Sequence, residues 1–278
     1  MLYLILAICA SSMVSIVMRL TKSRIKNETS LLMVNYLTCV VIAGSYMGFQ
    51  NALPRGDGSG WALSLGAVTG ALYLIGFLAL QWNVGANGVV LSSTFMKLGL
   101  LVPIVFSVLF FGEMPTIVQA AGFILSIAAV ILINGGGEKK AARSRGALIM
   151  LLLTCGTGDA MSKVYEALGP AEFNEQFLFY TFLFALLLCA VLVIRKREKP
   201  GLKELLWGAL LGLPNYFSAR FILHALTELP AVIVYPTFSV ASMVVLTLTG
   251  VLFFKEKLSR REWIGIGMIL VALIFLNI

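Results

Sequence analysis

Apolar residues run along this chain in long unbroken blocks, and polar residues gather at the seams between them. Ten blocks are readable, at about 2–20, 30–49, 61–81, 87–111, 116–134, 146–165, 176–194, 204–225, 230–254 and 260–277. Each approaches the roughly 20 residues that a helix needs to cross a hydrocarbon core. Turn-forming residues mark the seams: Pro54-Arg55-Gly56, Asn83-Val84-Gly85, Gly135-Gly136-Gly137, Gly169-Pro170 and Lys199-Pro200-Gly201. None of these seams has room for a soluble domain. The blocks are continuous rather than alternating with period two, which argues against membrane-spanning strands. The pattern predicts an all-α integral membrane protein with ten transmembrane helices.

The ten spans fall into two halves that echo each other. VLFFGEMPTIVQAAGFILSIAAVILIN (108–134) lies without a gap over VLFFKEKLSRREWIGIGMILVALIFLN (251–277), and nine of the 27 positions are identical. Among these are Glu113/Glu256, Gly122/Gly265 and Asn134/Asn277. At the same offset Thr94-Phe95 falls on Thr237-Phe238. Weaker matches place Trp61 on Trp207, Gly66 on Gly212 and Ala79-Leu80 on Ala225-Leu226, with Asn27-Glu28 on Asn174-Glu175 one register away. Five spans per half is an odd number, so the second half must enter the membrane the other way up. The expectation is a first five-helix repeat over 1–135, a cytoplasmic linker over 136–145 and an inverted second repeat over 146–278. Such halves are related by a pseudo-two-fold axis in the membrane plane, and exchanging their conformations gives alternating access.

Composition agrees on the solvent. The chain is 59% hydrophobic and 12% charged, with a mean hydropathy of +0.95. A soluble domain has about 25% charged residues. The net charge of +8 would suit nucleic acid, but its distribution does not. Of 21 Lys and Arg, 17 lie in four seams, at 19–26, 139–145, 195–203 and 255–261. Basic residues accumulate in cytoplasmic loops, so this reading puts those seams inside and both termini outside. The seam carrying Arg19, Lys22, Arg24 and Lys26 corresponds in the other half to one carrying Glu166, Glu172 and Glu175, as inversion requires. The expected partners are therefore the bilayer and a small-molecule substrate, with no nucleic acid, and the chain acts as a monomer. The first span has no basic residue before it and a bulky Ile8 ahead of Cys9, so it reads as a retained helix rather than a signal. Cys9, Cys39, Cys155 and Cys189 all lie within spans and read as structural filler.

The two LFFGE-like corners, each followed by a span containing Gly122 or Gly265, resemble the drug/metabolite transporter superfamily, and more narrowly its EamA-type members. The resemblance covers essentially the whole chain. It implies a 5+5 inverted-repeat fold whose third, fourth, eighth and ninth spans line a central cavity. It also implies transport of small metabolites or drugs, commonly export, across the plasma (inner) membrane. Small multidrug-resistance members carry a glutamate in the middle of their first helix. Here Cys9-Ala10-Ser11-Ser12-Met13 holds no acid, so that proton-coupled cation antiport is not implied.

Ionisable groups inside spans cost roughly 2.5–3.5 kcal/mol each at a helix centre, so they mark wet or interior faces. Lys97 lies deepest, behind Ser92-Ser93-Thr94. Asp159 stands four residues before Lys163, on one helix face. Arg220 follows Asn215 and Tyr216 and precedes His224. Lys163 and His224 sit in the last third of their spans, where snorkelling to the interface is the expectation. Counting Lys97, Lys163, Arg220 and Asp159, the surplus is +2, which favours anionic or carboxylate-bearing solutes. The predicted substrate-binding set is Lys97, Asp159, Arg220, Asn215, Tyr216, Tyr73 and Tyr235. Pro103, Pro214 and Pro236 fall in the fourth, eighth and ninth spans, where a helix would bend. Gly66-x-x-x-Gly70 and Gly208-x-x-x-Gly212 predict close helix packing. Glu113 and Glu256 are expected to accept hydrogen bonds from free N–H groups of the helix that follows each corner.

One histidine, no Cys/His metal spacing and no phosphate-binding loop leave no enzyme or metal signature, and no cofactor is expected. The function predicted is a secondary-active exporter of a small amino acid-like or anionic metabolite. An uncoupled facilitator or channel is the alternative, followed by an intramembrane lipid-processing enzyme centred on Lys97, Asp159 and Arg220.

Overall fold

A computed structural model describes the chain except residues 22–23, 53–55, 57, 135–143 and 256–258. Lys22, Arg55, most of the expected linker and Glu256 therefore lie outside the described residues. All regular structure among the described residues is helical: α1 (Leu2–Thr21), α2 (Glu28–Met47), α3 (Ser59–Asn87), α4 (Val89–Leu98), α5 (Leu101–Phe111), α6 (Ile117–Asn134), α7 (Arg145–Leu168), α8 (Asn174–Arg195), α9 (Leu202–Glu228), α10 (Ala231–Phe254) and α11 (Arg260–Leu276), with two short 3-10 turns. In lipid the backbone must satisfy its own hydrogen bonds, and a helix does so within one segment.

Counting α4 and α5 as one broken helix gives the ten expected. Among the described residues seven segments are long and apolar enough to cross a membrane, among them 91–111 as a single span, and α6 contains a shorter apolar helix. The protein is thus a multi-pass, all-α membrane protein.

The break in the fourth span lies at Gly99-Leu100, ahead of Pro103. Proline has no N–H to reach the carbonyl four residues back, here that of Gly99, and its ring crowds that carbonyl. The chain of α7 closes on the break: a Cβ added at Gly156 would collide with the Gly99 carbonyl and stand 2.6 Å from a Val102 methyl. Pro214 and Pro236, in contrast, lie inside uninterrupted helices. The expected bend therefore appears as a break at one proline of three.

Two compact units draw on both halves of the sequence, one from Met1, 75–163 and 226–278, the other from 2–74 and 164–225. In the first, α6 packs along α11. A Cβ on Gly122 would stand 2.8 Å from the Phe275 Cβ and 3.1 Å from the Ala272 carbonyl oxygen. One on Gly265 would meet the Ile133 side chain and come 3.6 Å from the Ala129 carbonyl oxygen. The start of each helix thus meets the end of the other, so the two run antiparallel. Ala129, Val130, Val240, Met243 and Ile269 form the buried core beside them.

In the second unit α2 packs along α8. Lys196 Nζ donates to Thr29 Oγ1 at 2.8 Å and Ser30 Oγ to Glu198 at 2.9 Å, while Tyr180 Oη donates to the Ala52 carbonyl at 2.9 Å. This pair is antiparallel too. Gly66 and Gly70 of α3 press on α8 at Phe177–Ala185, and Gly208 and Gly212 of α9 press on α2 at Leu31–Thr38. Missing side chains let the backbones approach.

The two corner phrases differ at one letter, and that letter is the helix cap. Gly112 ends α5 with φ 68 and Lys255 ends α10 with φ 54, both left-handed. Glycine adopts this conformation freely and lysine does so at a cost of about 1 kcal/mol.

Candidate functional site

Each unit holds one group of the predicted site residues. In the first, Lys97 occupies the last turn of α4 and is half-buried. Asp159 of α7 presents an exposed side chain. The buried Tyr235 of α10 donates its hydroxyl to the Asp159 carbonyl at 2.7 Å, fixing that turn of α7. Ser92, Thr94, Thr237, Ser239 and Ser242 are further buried hydroxyl residues of α4 and α10. Those of Thr237 and Ser242 have no hydrogen-bond partner among the described residues.

Lys163, four residues beyond Asp159, does not snorkel. It is 5% exposed, and its Nζ lies 2.7 Å from Glu113 Oε1, with the Phe111 ring 5.6 Å away. Glu113 also accepts from the Ser107 hydroxyl and, at 2.7 Å, from the backbone N–H of Ala231. The expectation that it would cap the helix after its own corner is corrected here. Thr116 and Gln119 already cap α6, exchanging bonds at 3.0 and 3.2 Å. Glu113 instead serves the first turn of α10. Burial alone would raise its carboxyl, but the Lys163 ammonium, Ser107 and the Ala231 N–H outweigh that and hold it below the ordinary glutamate value. Its counterpart Glu256 lies outside the described residues.

In the second unit Arg220 of α9 donates to Glu175 of α8 from Nε at 2.8 Å and lies 2.7 Å from it at Nη2, both on Oε1. The other oxygen, Oε2, accepts the Tyr216 hydroxyl at 2.8 Å. Tyr46 of α2 stacks beneath the guanidinium, 4.1 Å from ring centroid to Cζ, and its ring lies 6.0 Å from that of Tyr216. Asn215 donates to Asn35 Oδ1 at 3.2 Å, and Tyr73 reaches Tyr216 through the ring of Phe182, at 6.4 and 6.1 Å. His224 stacks on Tyr3 at 5.1 Å.

Tyr46, Glu175 and Asn35 are absent from the predicted set. Glu175 was visible only as a seam charge, and no spacing rule ties it to a residue 45 positions on. Tyr46 lies near the end of an apolar span, where an interfacial aromatic is ordinary.

Comparison with known proteins places this architecture. The profile of the EamA-like transporter family matches residues 145–278. A probable 4-amino-4-deoxy-L-arabinose-phosphoundecaprenol flippase subunit ArnE of Hamiltonella defensa is 34% identical over 84 residues, 29% of this chain and 72% of that protein. The chain belongs to the EamA-like transporter family. It is thereby a membrane transporter of the drug/metabolite transporter superfamily, a family of carriers rather than enzymes. An uncharacterized protein of Haemophilus influenzae is 24% identical over 276 residues, covering 95% of this EamA-like chain and 93% of the relative. A solved crystal structure, 17% identical, shares the fold with a TM-score of 0.76 over 99% of this chain and 96% of that one.

Proposed function

We propose that this EamA-like transporter is a secondary-active exporter of a small amino acid-like or anionic metabolite, working by alternating access between two inverted five-helix repeats, 1–135 and 146–278. The observation that carries the substrate class is a pair of opposite charges in one unit, Lys97 on α4 and Asp159 on α7, whose helices meet where Gly156 touches Gly99. Such groups are expensive in lipid, and together they offer complementary ends to a zwitterion. Tyr235 belongs to this group, while Tyr73, Tyr216, Asn215 and Arg220, also proposed to bind substrate, form a group of their own in the other unit.

Reciprocal contacts support the repeat. Gly122 faces Ala272 while Gly265 faces Ala129, and these are corresponding positions of the ungapped match. Residues i and j exchanging roles in this way is what a two-fold axis produces. Likewise Gly66 and Gly70 stand to α8 as Gly208 and Gly212 stand to α2. This pairing differs by one helical turn from the register that put Gly66 on Gly212. The charge distribution supports cytoplasmic loops at 19–26, 139–145, 195–203 and 255–261, so a reporter fused after Ile278 should score as external. A cytoplasmic score would reverse the orientation.

The deciding experiment is uptake into proteoliposomes of radiolabelled amino acids, sugar phosphates and cationic drugs, with and without a pH gradient. Lys97→Met keeps the volume and removes the charge, and transport of an anionic or zwitterionic solute should fall sharply at equal expression. Lys97→Arg should be tolerated in part, since a planar guanidinium replaces a compact ammonium. Parent-like transport by Lys97→Met would overturn this reading, and flux indifferent to any gradient would favour a facilitator. A second reading, movement of a lipid-linked phosphosugar, draws on the 84-residue match to the flippase subunit. It predicts activity on a polyprenyl phosphate substrate and none on the soluble panel.

A further inference from the structure

The Arg220–Glu175 pair has features that a fixed structural ion pair does not need. Both guanidinium nitrogens that engage Glu175 converge on a single oxygen, Oε1. Among the described residues nothing accepts from Nη1. The side chains remain 23% and 22% exposed, so the outer edge of the pair is reachable. Beneath the guanidinium lies Tyr46, itself 52% exposed, which offers a flat wall beside that edge.

Among the described residues two side chains, Arg220 and Tyr216, engage Glu175, and no backbone N–H does. It also has somewhere else to go. It stands in the first turn of α8, whose positive dipole end attracts a carboxylate released from Arg220.

We propose that this cluster is a displaceable anion site. A carboxylate or phosphate group takes the place of Glu175 on Arg220, lies along Tyr46, and moves Glu175 onto the N-terminus of α8. Arg220 suits both groups because its planar fork binds two oxygens at once. Two negative groups on one guanidinium repel, so the anion and Glu175 compete for it. The empty site is thereby closed by the protein's own carboxylate. This extends the anionic-substrate reading above, adding a second site with its own internal competitor.

Binding in detergent tests this without requiring transport. The full-length protein is titrated with acetate and with inorganic phosphate against chloride at matched ionic strength, and thermal unfolding is followed. Parent protein should be stabilised by phosphate and acetate beyond chloride. Glu175→Gln removes the competitor's charge and should bind about tenfold tighter or more. Arg220→Gln should lose the response, and Tyr46→Leu should weaken it. Should Glu175→Gln fail to fold, Tyr216→Phe withdraws one of the two groups that hold Glu175 and must also tighten binding. Equal affinities in parent, Glu175→Gln and Arg220→Gln would overturn the proposal, as would a Tyr216→Phe affinity no higher than the parent's. Nanodiscs of phosphatidylglycerol against phosphatidylcholine separate the sources. Competition by phosphatidylglycerol identifies a lipid headgroup as occupant, and its absence identifies a free solute. Lys97→Met should retain this binding, so loss of the transport reading and loss of the anion site are distinguishable.

Discussion

Two glutamate–cation pairs, one in each unit, use the same chemistry to opposite ends. Glu113 meets Lys163 with side-chain exposures of 19% and 7%, and Ser107 and the Ala231 N–H supply further donors. Its carboxylate is saturated, partly by backbone, and serves as a rivet between the α5–α6 corner, α7 and the first turn of α10. Glu175 meets Arg220 with both side chains about a fifth exposed, no backbone donor and an aromatic wall left open. Removing water from a charge makes its partners indispensable, whereas leaving an edge wet makes them exchangeable. The two carboxylates are about equally exposed, so a buried cation and backbone bonding, rather than the ion pair itself, separate a fastening from a site.

The largest expected effect follows from breaking the fastening. Lys163→Met should leave the partly buried Glu113 without its countercharge and cost about 1–3 kcal/mol, read as a lowered Tm in detergent. Arg220→Met, the equivalent cut in the other unit, should cost about 1 kcal/mol or less, because both partners of that pair are partly exposed. Equal losses would erase the distinction.

Acid sharpens the same contrast. The Glu113 carboxyl is held below its unfolded value, so its contribution to stability is complete above the unfolded pKa and disappears as pH falls through the folded one. The Tm of the parent should therefore drop on acidification below the ordinary glutamate value, and Glu113→Gln should flatten that part of the profile. A profile unchanged by Glu113→Gln would remove Glu113 from the account.

The smallest effect concerns the two corners. Gly112→Lys should cost about 1 kcal/mol, since a side chain there enters the left-handed region with no clash to add. Lys255→Gly relieves the same strain at the other corner, offset by greater freedom in the unfolded chain. A Tm rise for Gly112→Lys would contradict the cap geometry.

The helices were legible because lipid imposes one rule on long stretches, and a run of apolar residues states it directly. Interruptions were less so. Three prolines looked alike in sequence, yet only Pro103 coincides with a break, since Gly99 before it and Gly156 opposite leave the backbone room to part. In the site, residue types were readable but partners were not. Lys163 looked like a snorkelling residue or the neighbour of Asp159, because helical spacing shows only local neighbours. Its partner Glu113 is 50 positions away, brought to it by the fold. Tyr46 and Glu175 were hidden for the same reason.

The contact between Gly99 and Gly156 has a consequence for a pair of residues that do not take part in it. Lys97 lies two positions before Gly99, and Asp159 lies three after Gly156. Where the two backbones touch therefore works as a gauge block for the separation of the opposite charges. Coulomb energy varies inversely with distance, so a single methyl group at Gly156, wedging α7 away from α4 and α5, would retune the attraction between Lys97 and Asp159 without altering either side chain.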